Sequence, residues 1–335
     1  MKHVRILLIF LLVLSIFSGI ALGWTPISIT DDSGFGSIIE TQPKTIVSLA
    51  PTNTEIIFAL GLDDKVVGVT TYCNYPKEAL NKSKIGGYAT INVEKIVATN
   101  PDIIFANPIN GQGNIDALRK LGYVVIVIES DSVEGTYNAI RMIGTCTGTT
   151  DEADSIISDM KTRIQAITEK LVEGTEKPTV MHAMSVESIW VSGSNTFQNE
   201  LINLAGGTNA FSDVEGWGVI TLEKLLTTDP EIILVDAGST MGDAGENTLQ
   251  KAFLNEQRLS SITAVKNKDV YVMDPDIFNR GGPRIVLSLE QLAQIIHPEI
   301  FGEYAEPEST ATSPGFGAVL IIAGIIGGLF ICRRM

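Results

Sequence analysis

Glu94-Lys95-Ile96-Val97-Ala98-Thr99-Asn100-Pro101-Asp102-Ile103-Ile104 is echoed by Glu223-Lys224-Leu225-Leu226-Thr227-Thr228-Asp229-Pro230-Glu231-Ile232-Ile233. In each copy a short helical pattern stops before a proline, which cannot continue the helix hydrogen-bond ladder and pushes its predecessor out of the helical region. An apolar, β-branched run then begins. One helix-turn-strand solution used twice in a chain implies two similar lobes.

The flanking sequence agrees. Around the first copy, residues 45–49, 66–70, 103–106 and 124–128 read as short buried strands, separated by helical patterns at 53–60, 92–99 and 115–121. Around the second, strands are expected at 179–184, 232–235 and 270–273, with helices at 196–205, 222–226, 252–257 and 283–296. Such alternation argues for parallel-type α/β construction. Between the lobes Ala153, Ile156, Ile157, Met160, Ile164, Ile167 and Leu171 recur at helical spacing, with Thr149 and Glu152 placed as a capping box. Roughly 24 residues at helical rise give a rod of about 36 Å, long enough to pack across both lobes. The expected fold class is therefore α/β: two α/β lobes (45–145 and 175–300) joined by one long rigid helix within 146–174, with a ligand cleft between them.

The ends read as export and attachment. Lys2, His3 and Arg5 precede an uncharged apolar run, the layout of a signal peptide over residues 1–23, followed by a linker over 24–44. No Cys follows that run to carry a lipid. At the other end a polar spacer, 301–313, leads to Pro314-Gly315-Phe316, an apolar stretch, and Arg333-Arg334. Residues 314–335 are expected to anchor the chain, as a transmembrane helix or as a sorting segment, with the arginines inside and the soluble body on the extracellular face of the cell membrane.

Of 335 residues, enough remain between these ends for two medium domains. A formal charge of −15 excludes a nucleic-acid partner, because phosphate binding needs positive surface. Cys73 and Cys146 are the cysteines of the soluble part, able to form one disulfide or to stay free, and their spacing matches no metal site. Phosphate-cradling loops and paired helical histidines are missing from the sequence, and Gly193-Ser194-Asn195-Thr196 breaks the nucleophile-elbow pattern. Asp236, Asp243, Asp274 and Asp276 match no calcium loop and read as solvated carboxylates. His182 and His297 read as structural. No enzyme activity, catalytic residue, metal or cofactor is expected.

Strand-end loops rich in aromatic, Gly and Asn residues stand out instead: 71–76, 107–113 and 236–245. In open α/β sheets ligands gather at the carboxyl ends of strands. Tyr72, Asn74, Tyr75, Tyr88, Trp190, Trp217, Phe278 and Arg280 are the candidate ligand-binding residues, flat apolar faces with one cation, suited to a large planar ligand. Flanking Gly216 and Gly218 suggest that Trp217 lies on a flexible loop.

Ile46-Val47-Ser48-Leu49-Ala50-Pro51-Thr52-Asn53-Thr54-Glu55 and its continuation to Gly61, with Cys73-Asn74-Tyr75-Pro76, Lys84-Ile85-Gly86-Gly87, Gly206-Gly207-Thr208-Asn209 and Gly282-Pro283-Arg284-Ile285, resemble the cobalamin-binding and ferric-siderophore-binding proteins of ABC importers. The resemblance covers about residues 45–297. It implies two lobes joined by a long helix, a corrinoid, haem or ferric-siderophore ligand held without chemical conversion, and a monomer serving a permease dimer with cytoplasmic ATPases. It also implies that a surface glutamate on each lobe, Glu55 and Glu200, docks to the permease. The Cys-Asn-Tyr-Pro loop resembles the cobalamin branch; alternatives from other classes are a surface adhesion module and a secreted hydrolase. The C-terminal tail resembles the PGF-CTERM sorting signal of archaeal surface proteins, implying an archaeosortase-type processing enzyme and exchange of the tail for lipid. Truncation before Pro314 should release the protein into the medium; a truncated chain that stays in the membrane fraction would place the attachment elsewhere.

Overall fold

The chain enters as a hairpin, β1 (Ile27–Thr30) and β2 (Gly36–Ile39), and then builds a parallel sheet from β3 (Ile46–Ser48), β4 (Val66–Val69), β5 (Ile103–Ala106) and β6 (Val125–Val127). This computed structural model describes residues 24–236 and 247–305. The strand order is β4-β3-β5-β6, with α1 (Pro51–Ala59), α2 (Val93–Ala98) and α3 (Gln112–Lys120) in the crossovers. Nearly every strand residue is buried, as expected when helices cover both faces of a parallel sheet.

Two antiparallel helices follow, α4 (Val133–Thr147) and α5 (Thr150–Thr168), turning at Gly148 with a left-handed φ of 76°. The second lobe comprises β7 (Thr179–Ala183), β8 (Trp190–Ser192), α6 (Phe197–Leu204), β9 (Thr208–Asn209), β10 (Trp217–Val219), α7 (Leu222–Thr228) and β11 (Ile232–Asp236). It closes with α8 (Thr248–Asn255), α9 (Thr263–Asn267), β12 (Val270–Met273), α10 (Pro275–Phe278), α11 (Ile285–Ile296) and α12 (Pro298–Phe301). Its sheet runs β10-β8-β7-β11-β12, with β9 also on β7.

The echoed segments do the same work in both lobes. Each delivers an interior strand, β5 or β11. Asn100 and Asp229, just before the prolines, take left-handed φ of 45° and 46°, a conformation that short polar side chains tolerate. The acid after each proline then caps the neighbouring strand: Asp102 Oδ2 accepts from the Thr45 N–H at 2.9 Å, and Glu231 Oε2 from the Thr179 N–H at 2.7 Å. Burial opposes ionisation of Asp102, but hydrogen bonds from the Lys44 and Thr45 N–H groups outweigh it and hold the carboxyl below its ordinary value.

Four expectations need correction. The second sheet is mixed, not purely parallel, because β8 runs antiparallel to both its neighbours, β7 and β10; at three residues each, β8 and β10 are too short to show a period-2 pattern. The long rod is shorter, 19 residues or about 28 Å, and is preceded by α4, so the connection is a helical hairpin. Gly144 lets α4 lie against Ala153 of α5, where an added Cβ would stand 2.6 Å from the Ala153 Cβ. Thr149 takes the N-cap position without capping by its side chain; its hydroxyl pairs with Thr147 Oγ1 at 2.9 Å. Residues 24–44 are also no simple linker. The hairpin covers edge strand β6, with buried Asp31 accepting from the Val127 N–H through Oδ2 at 2.9 Å and pairing with half-buried Arg119, which blunts an otherwise open edge.

Arg163 of α5 holds Glu290 of α11 through two hydrogen bonds, 2.9 and 2.8 Å, and so clamps the connection to the second lobe. Cys73 and Cys146 are free and buried, and burial pushes the Cys146 thiol up to about 12. Among the described residues no helix is long and apolar enough to cross a membrane. The signal peptide, the anchor segment and most of the 236–245 loop lie outside the described residues.

Candidate functional site

The lobes meet through a buried cluster of charges. Glu55, at the first turns of α1, is 3% exposed. Arg284, from the second lobe just ahead of α11, grips it in two-pronged fashion, Nε to Oε2 at 2.8 Å and Nη2 to Oε1 at 2.7 Å, the planar arrangement for which guanidinium and carboxylate are matched. Arg280 adds a bond from Nη1 to Glu55 Oε1 at 3.1 Å and another to Asn74 Oδ1 at 2.8 Å. Asn74 in turn donates to Asp276 Oδ2, and Asp276 pairs with Arg280. Tyr75 lies under the Arg284 guanidinium, 3.7 Å from the ring centroid. Burial alone would lower the pKa of Arg284; Glu55, with Asp274 and Tyr75 adding to it, more than compensates and raises it.

Glycine makes this approach feasible. A Cβ on Gly281 would stand 2.1 Å from the backbone oxygen of Ser130 in the first lobe, so that only glycine fits. Glu200 of α6 supplies a further cross-lobe bond, accepting from the Val133 N–H at the start of α4 at 2.9 Å.

Beside the cluster opens a cavity of about 550 Å³. Ser130 and Asp131 bound it from the first lobe; Met184, Trp190, Trp217 and Gln198 bound it from the second. Trp190 and Trp217 are 43% and 39% exposed. Trp217 pairs across β10 and β8 with Ser192, and Val219 with Trp190, so both indoles project from one face of the sheet. On the first lobe Tyr72, 48% exposed, and half-buried Tyr88 pair with ring centroids 6.4 Å apart. Burial raises the Tyr88 phenol, with the positive charge of Arg280 opposing.

Under Trp217 lies fully buried His182, with Trp217 and Phe278 edge-on at 5.5 and 4.9 Å. Its Nδ1 is 3.2 Å from Ser192 Oγ and its Nε2 is 3.3 Å from Asp236 Oδ1. The set has the composition of a hydrolase triad, but Ser192 is completely buried and cannot meet a substrate.

The eight sequence-derived ligand residues thus separate. Tyr72, Tyr88, Trp190 and Trp217 present surface. Asn74, Tyr75 and Arg280 belong to the interlobe cluster, and Phe278 packs behind His182. Glu55 is not a surface carboxylate, and its buried pairing leaves it unavailable for docking in this conformation. Glu200 keeps partial exposure, with one oxygen committed. Trp217 is on a strand, not a flexible loop. Asp236 and Asp276 are partnered rather than solvated, and no group of three or more ligating side chains occurs among the described residues. Sequence reading assigned no role to Arg284, Asp131, Gln198 or Asn279; the one signal was the four-residue spacing of Asp276, Arg280 and Arg284.

The profile of the periplasmic binding protein family matches residues 46–277. The chain belongs to that family. It is 36% identical over 285 residues to the uncharacterised ABC transporter substrate-binding lipoprotein YvrC of Bacillus subtilis, covering 83% of this chain and 88% of that one. It is 27% identical over 251 residues to the vitamin B12-binding protein of Yersinia pseudotuberculosis, covering 74% and 85%. The fold superposes on the crystal structure of a possible iron-binding (periplasmic solute-binding) protein from Staphylococcus epidermidis with a TM-score of 0.67 and 27% identity, over 77% of this chain and all of that one. The protein is a substrate-binding protein of an ABC transporter, not an enzyme; such proteins work with a permease and an ATPase.

Removing one member of a buried ion pair strands the other. Glu55→Ala should therefore cost about 3 kcal/mol or more, read from the urea midpoint at pH 7. A loss under about 1 kcal/mol would mean that the pair behaves as a solvated surface contact.

Proposed function

We propose that the cargo is cobalamin or a related corrinoid, captured between the tyrosines of the first lobe and the tryptophans of the second and delivered unchanged to the permease on the extracytoplasmic face of the membrane. The observation that carries this reading is the pair of aromatic surfaces on opposing lobes, which suit a large planar ring. The charge pattern agrees. Arg280 and Arg284 are both committed to Glu55, and Arg280 to Asp276 as well, so neither is free to neutralise an anionic chelate. The Yersinia relative's name supports the corrinoid. A ferric-siderophore or haem cargo is the second reading, favoured by the Staphylococcus likeness. Membrane association is supported by the Bacillus relative, which is named a lipoprotein; the C-terminal tail supplies the attachment in this reading.

Calorimetric titration with cobalamin, haem and a ferric siderophore tests it. Cobalamin should bind one-to-one and more tightly than the other two, and Trp217→Ala should weaken it at least about tenfold through lost aromatic contact. Binding of haem or the siderophore in preference to cobalamin would overturn the corrinoid and keep the transport role.

A further inference from the structure

The polar edge of the cavity has a direction. As a carboxylate, Asp236 only accepts hydrogen bonds. Asn279 reaches Asp236 Oδ2 at 2.9 Å, so that atom of Asn279 must be its donor, Nδ2, and the other end of its amide, Oδ1, is an acceptor. Gln198 bonds Asn279 Oδ1 at 2.8 Å and therefore turns its own Nε2 inward. The carbonyl oxygen of Phe278, also an acceptor only, meets the same Nε2 at 3.4 Å and fixes the same orientation. Gln198 is 3% exposed and lines the cavity. Its Oε1 has no hydrogen-bond donor among the described residues, yet it is not among the side-chain atoms sealed from solvent without a partner. The one face left to it is the cavity.

Asp131 lines the same space from the first lobe, exposed, and no Lys or Arg is found among the described lining residues. The cavity therefore offers an oriented acceptor and a negative charge, with no cation to balance them. Such an edge suits an N–H or O–H donor and disfavours an anion beside it, because a carboxylate next to Gln198 Oε1 and Asp131 would face two acceptors.

We infer that this cavity is a subsite for a primary carboxamide at the edge of the cargo, with Gln198 Oε1 as its acceptor and Asp236 and Asn279 as the positioning residues that set its direction. The inference rests on the cleft being the cargo site. It adds a chemical reason for discrimination: the corrin ring of cobalamin is edged with primary carboxamides, whereas haem ends in carboxylates.

The probes are benzamide and benzoate, two planar molecules of nearly one shape that differ in this group. Saturation-transfer NMR on the full chain at neutral pH should show benzamide binding at least about tenfold more tightly than benzoate, the cost of one unmade buried hydrogen bond. Gln198→Met should narrow that preference by weakening benzamide binding, leaving the part due to the Asp131 charge. Asp131→Asn, an exposed change with no packing to disturb, should narrow it by raising benzoate binding. Equal binding of the two probes, or an unchanged preference in both variants, would overturn the subsite. A benzamide preference without cobalamin binding would keep the subsite and overturn the corrinoid. Cobalamin binding without the benzamide preference would do the reverse.

Discussion

The structure depends on one carboxylate held by two arginines from the other lobe. Glu55 is buried, and separating the lobes would break three charge-assisted hydrogen bonds to it at once. A bidentate guanidinium also fixes orientation, because both of its bonds fail together if the planes tilt. Gly281 allows the backbones to approach closely enough for this pairing, and Arg163 on Glu290 locks the connecting helices to the second lobe. The relative placement of the lobes is thus determined by charge at the front and helix packing at the back.

That placement makes the cleft. Neither lobe alone lines the cavity, which draws Ser130 and Asp131 from the first lobe and Trp190, Trp217, Gln198 and Asn279 from the second. The buried row of Ser192, His182 and Asp236 supports the floor from behind. Its members match a hydrolytic triad in kind but not in access, and what distinguishes a support from a catalyst here is burial of the hydroxyl.

The lobes and their central strands were legible because the signal is local. Asn100-Pro101 and Asp229-Pro230 break a helix and start a strand by backbone sterics alone, and both do so in the structure. Strands β8 and β10 were not legible, since three residues carry no period and each is held by a partner strand outside its own segment, β8 by β7 and β10 by β8. Helix α4 was passed over because its run of Gly, Thr and Asn has modest helical propensity, and packing against α5 decides its state. At the site, residue type pointed to Tyr72, Tyr88, Trp190 and Trp217, whose rings do reach the surface. It could not tell that Arg280 and Glu55, 225 positions apart, would neutralise each other. A charged residue read singly looks available; its partner is a property of the tertiary fold.

The central claim is that the Glu55 cluster holds the lobes in one arrangement before cargo arrives. Distance measurement by double electron-electron resonance between spin labels at Lys95→Cys and Lys266→Cys, exposed positions on opposite lobes, tests it most directly. A single narrow distance distribution in the cargo-free protein, broadened by Glu55→Ala, is the result expected. A distribution already broad or two-peaked in the parent, and unaltered by Glu55→Ala, would contradict it.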